Sequence, residues 1–129
     1  MTTNGINISV NHASPVPPYE QLRAQLADLI SIGRLVQGDR LPSVRQLASD
    51  LGLANNTVVR AYRELETAGL VSSRRGSGTK VVAPAATTDI KAKLAEHASS
   101  YAAAARQLNA TDEETLAAIR HALARRETP

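Results

Sequence analysis

Two rhythms of apolar and polar residues alternate along this chain. Ile6, Ile8 and Val10 are separated by polar neighbours, and this period of two predicts a short strand or an extended arm, stopped by Pro15, Pro17 and Pro18. From Tyr19 the spacing changes to steps of three and four, at Leu22, Leu26, Leu29 and Ile30, with Gly33 behind them. That is the pattern of an amphipathic helix with a glycine stop. A connection from Leu35 to Leu41 turns at Gly38-Asp39, and Val44, Leu47, Ala48 and Leu51 then give the buried stripe of a second, short helix. Ser43 and Gln46 have the spacing of a capping box, in which each side chain satisfies the other's backbone amide. Gly52 stands where a positive φ ends a helix, with Leu53 as the apolar contact of that cap.

A third helix is predicted from an N-cap at Asn55 or Asn56 to about Ala68. At about 100° per residue, Val58, Ala61, Tyr62 and Leu65 share one side, while Asn56, Val59, Arg60 and Arg63 share the other. The first set reads as core, and Tyr62 belongs to it. The second is polar and basic, fit for a DNA major groove, with Val59 placed to touch a thymine methyl. Leu70–Ser73 and Thr79–Val82 are β-prone runs around Arg74-Arg75-Gly76-Ser77-Gly78, a hairpin tip flanked by arginines. Ala83–Thr87 reads as a linker. Beyond it, a helix capped by Thr88 or Asp89 carries Ile90, Leu94, Ala98, Tyr101, Ala105 and Leu108. Another, opened by a Thr111–Glu114 capping box, carries Leu116, Ile119 and Leu123. Two such helices cannot enclose a core alone, so dimerisation is expected through Ile90, Leu94, Tyr101, Leu108, Leu116, Ile119 and Leu123.

Composition narrows the function. With 129 residues the chain can hold one ordinary domain, or one small domain plus an appendage that needs a partner, and without cysteine it has no disulfide, thiolate metal site or catalytic cysteine. The opening residues lack the basic start and apolar run of a signal peptide, and no run reaches the roughly 20 apolar residues that span a bilayer. A soluble cytoplasmic protein is expected, with no membrane partner. The formal net charge is +3, and residues 1–83 carry nine Lys or Arg against six Asp or Glu while residues 84–129 carry six of each. The whole basic excess therefore lies with the helices and hairpin, which suits phosphate contact. Only 2% of residues are aromatic, too few for stacking on single strands or RNA.

No nucleophile, base and oxyanion group come together in the sequence, so no enzyme is expected; Ser72, Ser73 and the histidines offer no such context. His97 and His121 lack a fixed ligand spacing, and neither a metal nor a cofactor is expected. A winged helix that docks an acidic protein instead of DNA is the rival binding reading.

Leu41-Pro42-Ser43-Val44-Arg45, Asn56-Thr57-Val58-Val59-Arg60-Ala61-Tyr62, Glu64-Leu65-Glu66 and Gly76-Ser77-Gly78-Thr79, preceded by Pro18-Tyr19-Glu20-Gln21-Leu22, resemble the GntR family of bacterial transcription regulators. The resemblance spans about residues 6–82. The short two-helix tail is similar to the YtrA-like subgroup, whose members are dimers often encoded beside ABC transporter genes that they repress. It implies a fold that is mainly α with a small β wing, a winged helix-turn-helix over residues 1–83 and a two-helix dimerisation region over residues 84–129. It also implies that Arg45 contacts DNA, that Ala54, Asn55, Asn56 and Thr57 meet bases and phosphates, and that Arg75, Gly76 and Ser77 reach the minor groove. Many family members have an arginine directly after Thr-Val; here Val59 stands there and Arg60 follows.

The full expected DNA-binding set is Ser43, Arg45, Asn55, Asn56, Thr57, Arg60, Arg63, Arg74, Arg75, Gly76 and Ser77, with Lys80 as a further phosphate contact. The expected partners are double-stranded operator DNA, a second copy of the chain and a small-molecule effector that the side chains do not identify. The expected function is a dimeric repressor of a small operon, its own included.

Overall fold

The computed structural model describes residues 2–3, 6–84 and 86–125; Ala85 of the expected linker lies outside them. The chain divides into two compact units, with the boundary along the sequence between Asp89 and Ile90. In the first, β1 (Thr2–Thr3) pairs antiparallel with β2 (Ile6–Asn7). The strand is shorter than the alternation suggested, yet Ile6 and Ile8 are buried. Glutamine amides of α1 (Pro18–Ser31) take over where strand pairing stops. Gln25 accepts from the Ser9 N–H at 3.1 Å and donates to the Ser9 carbonyl at 2.7 Å, while Gln21 exchanges the same pair of bonds with Asn11 at 2.8 and 2.9 Å. Side chains thus satisfy a backbone that would otherwise lie unpaired against a helix.

Leu22, Leu26 and Ile30 are the buried stripe of α1, and Gly33, at φ +83°, ends the turn beyond it. Helix α2 (Val44–Leu51) buries Leu47 and Ala48, with Gly52 left-handed at its end and the Leu53 N–H returning to the Ala48 carbonyl at 2.9 Å. Only half of the expected capping box forms. The Ser43 hydroxyl accepts from the Gln46 N–H at 3.1 Å, but the Gln46 amide donates to Asp50 at 2.8 Å instead of reaching back. Helix α3 (Asn55–Thr67) buries Val58, Ala61, Tyr62 and Leu65 against α1, α2 and β3. Its N-cap is Ala54 with no side-chain bond, so Asn55 and Asn56 are the first helical residues and not the cap.

The hairpin of β3 (Val71–Arg74) and β4 (Gly78–Val81) is in register from Val71↔Val81 to Arg74↔Gly78. The preceding connection forms a third rail beside β4: the Leu41 N–H donates to the Thr79 carbonyl, and Asp39 and Val81 join through the Val81 N–H, both at 2.8 Å. The segment expected to be a linker is also laid on this unit. Ala83 is buried, and the Thr87 and Thr88 amides both donate to the Ser31 carbonyl, at 3.0 and 3.1 Å.

The second unit is α4 (Ile90–Gln107) and α5 (Asp112–Arg125). Asn109 at φ 61° takes the left-handed position after α4, and the Ala110 N–H closes it on Ala105. Both halves of the Thr111–Glu114 capping box form, at 2.8 and 3.1 Å. The Thr111 amide, with its hydroxyl, holds the Glu114 carboxyl below the usual range. Ala105 is the one buried hydrophobic residue among those described in this unit. Leu108 lies in the turn, 80% exposed, and does not extend the α4 stripe as expected.

The first unit's core is closed by Tyr62, whose buried hydroxyl donates to the Pro42 carbonyl at 2.7 Å. We predict that Tyr62→Phe, which strands that carbonyl, lowers unfolding free energy by about 1–2 kcal/mol in urea titration. Burial raises the Tyr62 pKa above its ordinary value of 10.0. The unfolded chain therefore ionises first. The stability linked to this group is complete below pH 10 and falls as pH rises further, a loss that the phenylalanine variant lacks.

Candidate nucleic-acid interface

Helix α3 presents Asn55, Asn56, Arg60 and Arg63 as exposed side chains, with Thr57 and Val59 half-buried among them. Because Ala54 caps the helix through its backbone, both asparagine amides are without a hydrogen-bond partner among the described residues. Arg45, in the first turn of α2, is exposed. Arg45 and Arg63 likewise have no carboxylate partner among the described residues. Ser43 is exposed, and its hydroxyl caps α2 by accepting from the Gln46 N–H, which leaves its own O–H to donate outward.

Arg60 departs from this pattern. Its guanidinium lies 3.7 Å from the centroid of the Tyr19 ring, donates to the Tyr19 hydroxyl at 3.1 Å, and meets Glu64 at 3.4 Å. Tyr19 was absent from the expected set. It lies in the Pro18-Tyr19-Glu20-Gln21-Leu22 segment of the family resemblance, but nothing local pairs it with Arg60, because the contact spans 41 positions and exists only through the packing of α1 on α3. Its neighbour Arg23 is neutralised within α1 by Glu20 at 2.6 Å. That hydrogen bond holds the Glu20 carboxyl below its usual range.

The wing carries Arg74 at the end of β3, with Arg75, Gly76 and Ser77 in the turn. Gly76 and Gly78 have φ of +86° and +79°, conformations that L side chains resist. A second residue missing from the expected set holds this tip. Arg40 donates from Nε and Nη2 to the Ser77 carbonyl at 3.1 and 2.5 Å, and its Nε is 3.4 Å from where a Cβ on Gly78 would stand. Its only trace in the sequence is Asp39-Arg40-Leu41, one step of alternation, too short to distinguish a strand from a loop. Lys80 sits opposite Ser72 in the hairpin and bridges to Arg40 across the third rail. Arg40, Arg74, Arg75 and Lys80 thus gather positive charge around one short hairpin, while Glu66 of α3 accepts from the Ser73 N–H of β3 at 3.1 Å.

In the second unit, Ile90, Leu94, Leu116, Ile119 and Leu123 are exposed. Tyr101 is half-buried and donates to the Thr115 carbonyl at 3.0 Å, tying α4 to α5 within the chain. Among the described residues no group of three or more His, Cys, Asp or Glu side chains converges, and no helix is long and apolar enough to cross a membrane.

Two substitutions separate the parts of the wing. Gly78→Ala forces a side chain into left-handed φ and against Arg40, and is expected to cost about 1–2 kcal/mol, read by urea unfolding. Arg40→Ala is expected to leave global stability within about 1 kcal/mol, because the pair is exposed, while amide exchange of residues 75–78 quickens.

The chain has relatives among known proteins. The family model "Bacterial regulatory proteins, gntR family" matches residues 18–81, the span from the start of α1 to the end of the wing. The HTH-type transcriptional regulator Rv1152 of Mycobacterium tuberculosis is 43% identical over 81% of this chain and 84% of its own length. The HTH-type transcriptional repressor YtrA of Bacillus subtilis is 40% identical over 67% of each. Among solved structures, YtrA from Sulfolobus acidocaldarius, a GntR-family transcription factor, superimposes with a TM-score of 0.55 at 31% identity, over 75% of this chain and 97% of that one. AraR(DBD) in complex with operator ORX1 gives 0.53 at 25% identity, over 58% of this chain and 96% of that one. With its winged helix-turn-helix and two C-terminal helices, this chain belongs to the gntR family of bacterial regulatory proteins, as a YtrA-like DNA-binding transcription regulator.

Proposed function

We propose that this chain is a cytoplasmic, homodimeric repressor that occupies a pseudo-palindromic operator of a small operon, its own with transporter genes included. The observation that carries the reading is the exposed surface of α3 and α2, where Asn55, Asn56, Arg45 and Arg63 are held by a buried core and have no partner among the described residues. Arginine and asparagine supply the donor and acceptor pairs that distinguish guanine and adenine in the major groove. Arg45, Arg74 and Lys80 neutralise phosphates, with Arg75, Gly76 and Ser77 brought to the minor groove by the wing. The relative named as a repressor supports the sign of regulation. No catalytic step enters this reading.

Residues 84–129 supply the second function of the reading, dimerisation. The exposed apolar residues of α4 and α5 are too many for a unit whose one buried hydrophobic side chain, among those described, is an alanine. A second copy is the partner of matching shape, and two-fold symmetry places two recognition helices on half-sites about one helical turn apart. A small-molecule effector is accommodated, if one acts, between the helices of that dimer.

Arg45→Ala is expected to weaken operator binding by about 1 kcal/mol or more and to reduce the slope of log affinity against log salt by about one, in fluorescence anisotropy at several salt concentrations. An unchanged slope removes Arg45 from the phosphates, and operator binding no tighter than random duplex favours protein docking instead. Leu94→Asp with Leu116→Asp, at 65% and 55% exposed positions, is expected to leave helicity intact and shift sedimentation from dimer to monomer. A variant that still sediments as a dimer puts the interface elsewhere.

A further inference from the structure

Arg60 is the one arginine of the α3 face whose guanidinium is already fixed. Tyr19 lies under its plane at 3.7 Å, the Tyr19 hydroxyl accepts from Nη2 at 3.1 Å, and Glu64 accepts from Nε at 3.4 Å. Nη1 has no acceptor among the described residues, and the side chain remains 60% exposed. Pro18, Tyr19, Asn56, Thr57 and Arg60 line one shallow surface concavity, so the stacked arginine stands beside the first turn of α3. An arginine on a bare helix surface must lose its rotamer freedom when it pairs with a base; one already laid on a ring has lost it before DNA arrives. Guanine recognition also needs two N–H groups in one plane aimed at N7 and O6, and a ring beneath the guanidinium sets that plane.

We propose that Tyr19 is a specificity-determining positioning residue: by stacking under Arg60 and accepting from its Nη2, it orients the guanidinium to read a guanine at one position of each half-site. Glu64 restrains the opposite edge through Nε. This rests on the reading of α3 as the groove helix. It also accounts for an arginine one step past the commoner family position: turned by about 100° from that site, Arg60 falls within reach of α1, and the tyrosine there gives it a second support.

The test is selection of bound duplexes from a library randomised across the half-site, using the full chain as wild type, Tyr19→Leu, Tyr19→Phe, Arg60→Ala and the Tyr19→Leu/Arg60→Ala double variant, each first checked for native circular dichroism. The expected result is a guanine preference at one position that Arg60→Ala loses. Tyr19→Leu then weakens that same preference about fivefold or more, the lower end of what one bidentate base contact discriminates, and leaves the other positions unchanged. Tyr19→Phe, which keeps the ring, retains part of the preference, and the double variant matches Arg60→Ala alone. Equal weakening on all sequences by Tyr19→Leu, or a loss that adds in full to that of Arg60→Ala, overturns the proposal and leaves Tyr19 a packing residue. A wild type that selects sequence while Arg60→Ala loses no position overturns it alone. A wild type that selects no sequence overturns the groove-helix reading with it.

Discussion

Helix α3 has to face two environments at once, and the rest of the first unit follows from that. Its stripe of Val58, Ala61, Tyr62 and Leu65 is buried to within a few per cent, so the helix cannot roll without pulling apolar surface into water. At about 1.5–3 kcal/mol for each large buried side chain, even a small rotation is resisted by several groups together. Three elements supply the lid for this stripe: α1 with Leu22, Leu26 and Ile30, α2 with Leu47 and Ala48, and β3 with Val71. The opposite stripe is left to water. The exposed surface of α3, the proposed DNA-facing one, is held in place because the hidden surface of the same helix is overdetermined.

The same unit shows how a short chain satisfies its backbone. A two-stranded wing leaves edges open, and the Asp39–Leu41 rail closes one of them while Arg40 takes the Ser77 carbonyl at the tip. At the other end, Gln21 and Gln25, one helical turn apart, take both the N–H and the C=O of Asn11 and Ser9, so a helix acts as the neighbouring strand. These bonds are exposed, so each adds little by itself, but together they fix the edge of a short strand and the tip of the wing.

These particulars explain which features were legible in the sequence. The helices, the Gly52 cap, the hairpin and the two-faced α3 follow from period and from residues with special φ, and all four are present. Capping chemistry was legible only where nothing competes. Glu114 reaches back to Thr111 because Ala118 stands one turn on, whereas Gln46 has Asp50 at that place and turns to it. Asn55 was a reasonable cap by residue type, but the Leu53 amide is already drawn to Ala48, and the chain enters α3 at Ala54 with extended backbone angles. The Tyr19–Arg60 stack, the Arg40 clasp and the glutamine ladder all join positions far apart in the chain. Periodicity carries no information about such pairs, since each needs the packed fold before its partners meet.

The second unit poses the converse problem. Its helices are well specified locally, by a full capping box at Thr111 and a left-handed Asn109, and Tyr101 ties one to the other. Local specification does not bury area, however, and helices of this length draw most of their stability from packing of an apolar face. Leu94, Leu116 and Leu123 are each more than half exposed within the single chain. In the proposed dimer, a second copy that covers them would couple folding to assembly, and assembly to recognition. Two DNA-binding units joined through such a partner engage the second half-site as an intramolecular event, so affinity for a paired site exceeds that for one half without any new contact. On that reading, the few α3 side chains proposed to read bases need not bind tightly on their own. Modest contacts per half-site favour discrimination, because a mismatched half forfeits the second engagement as well.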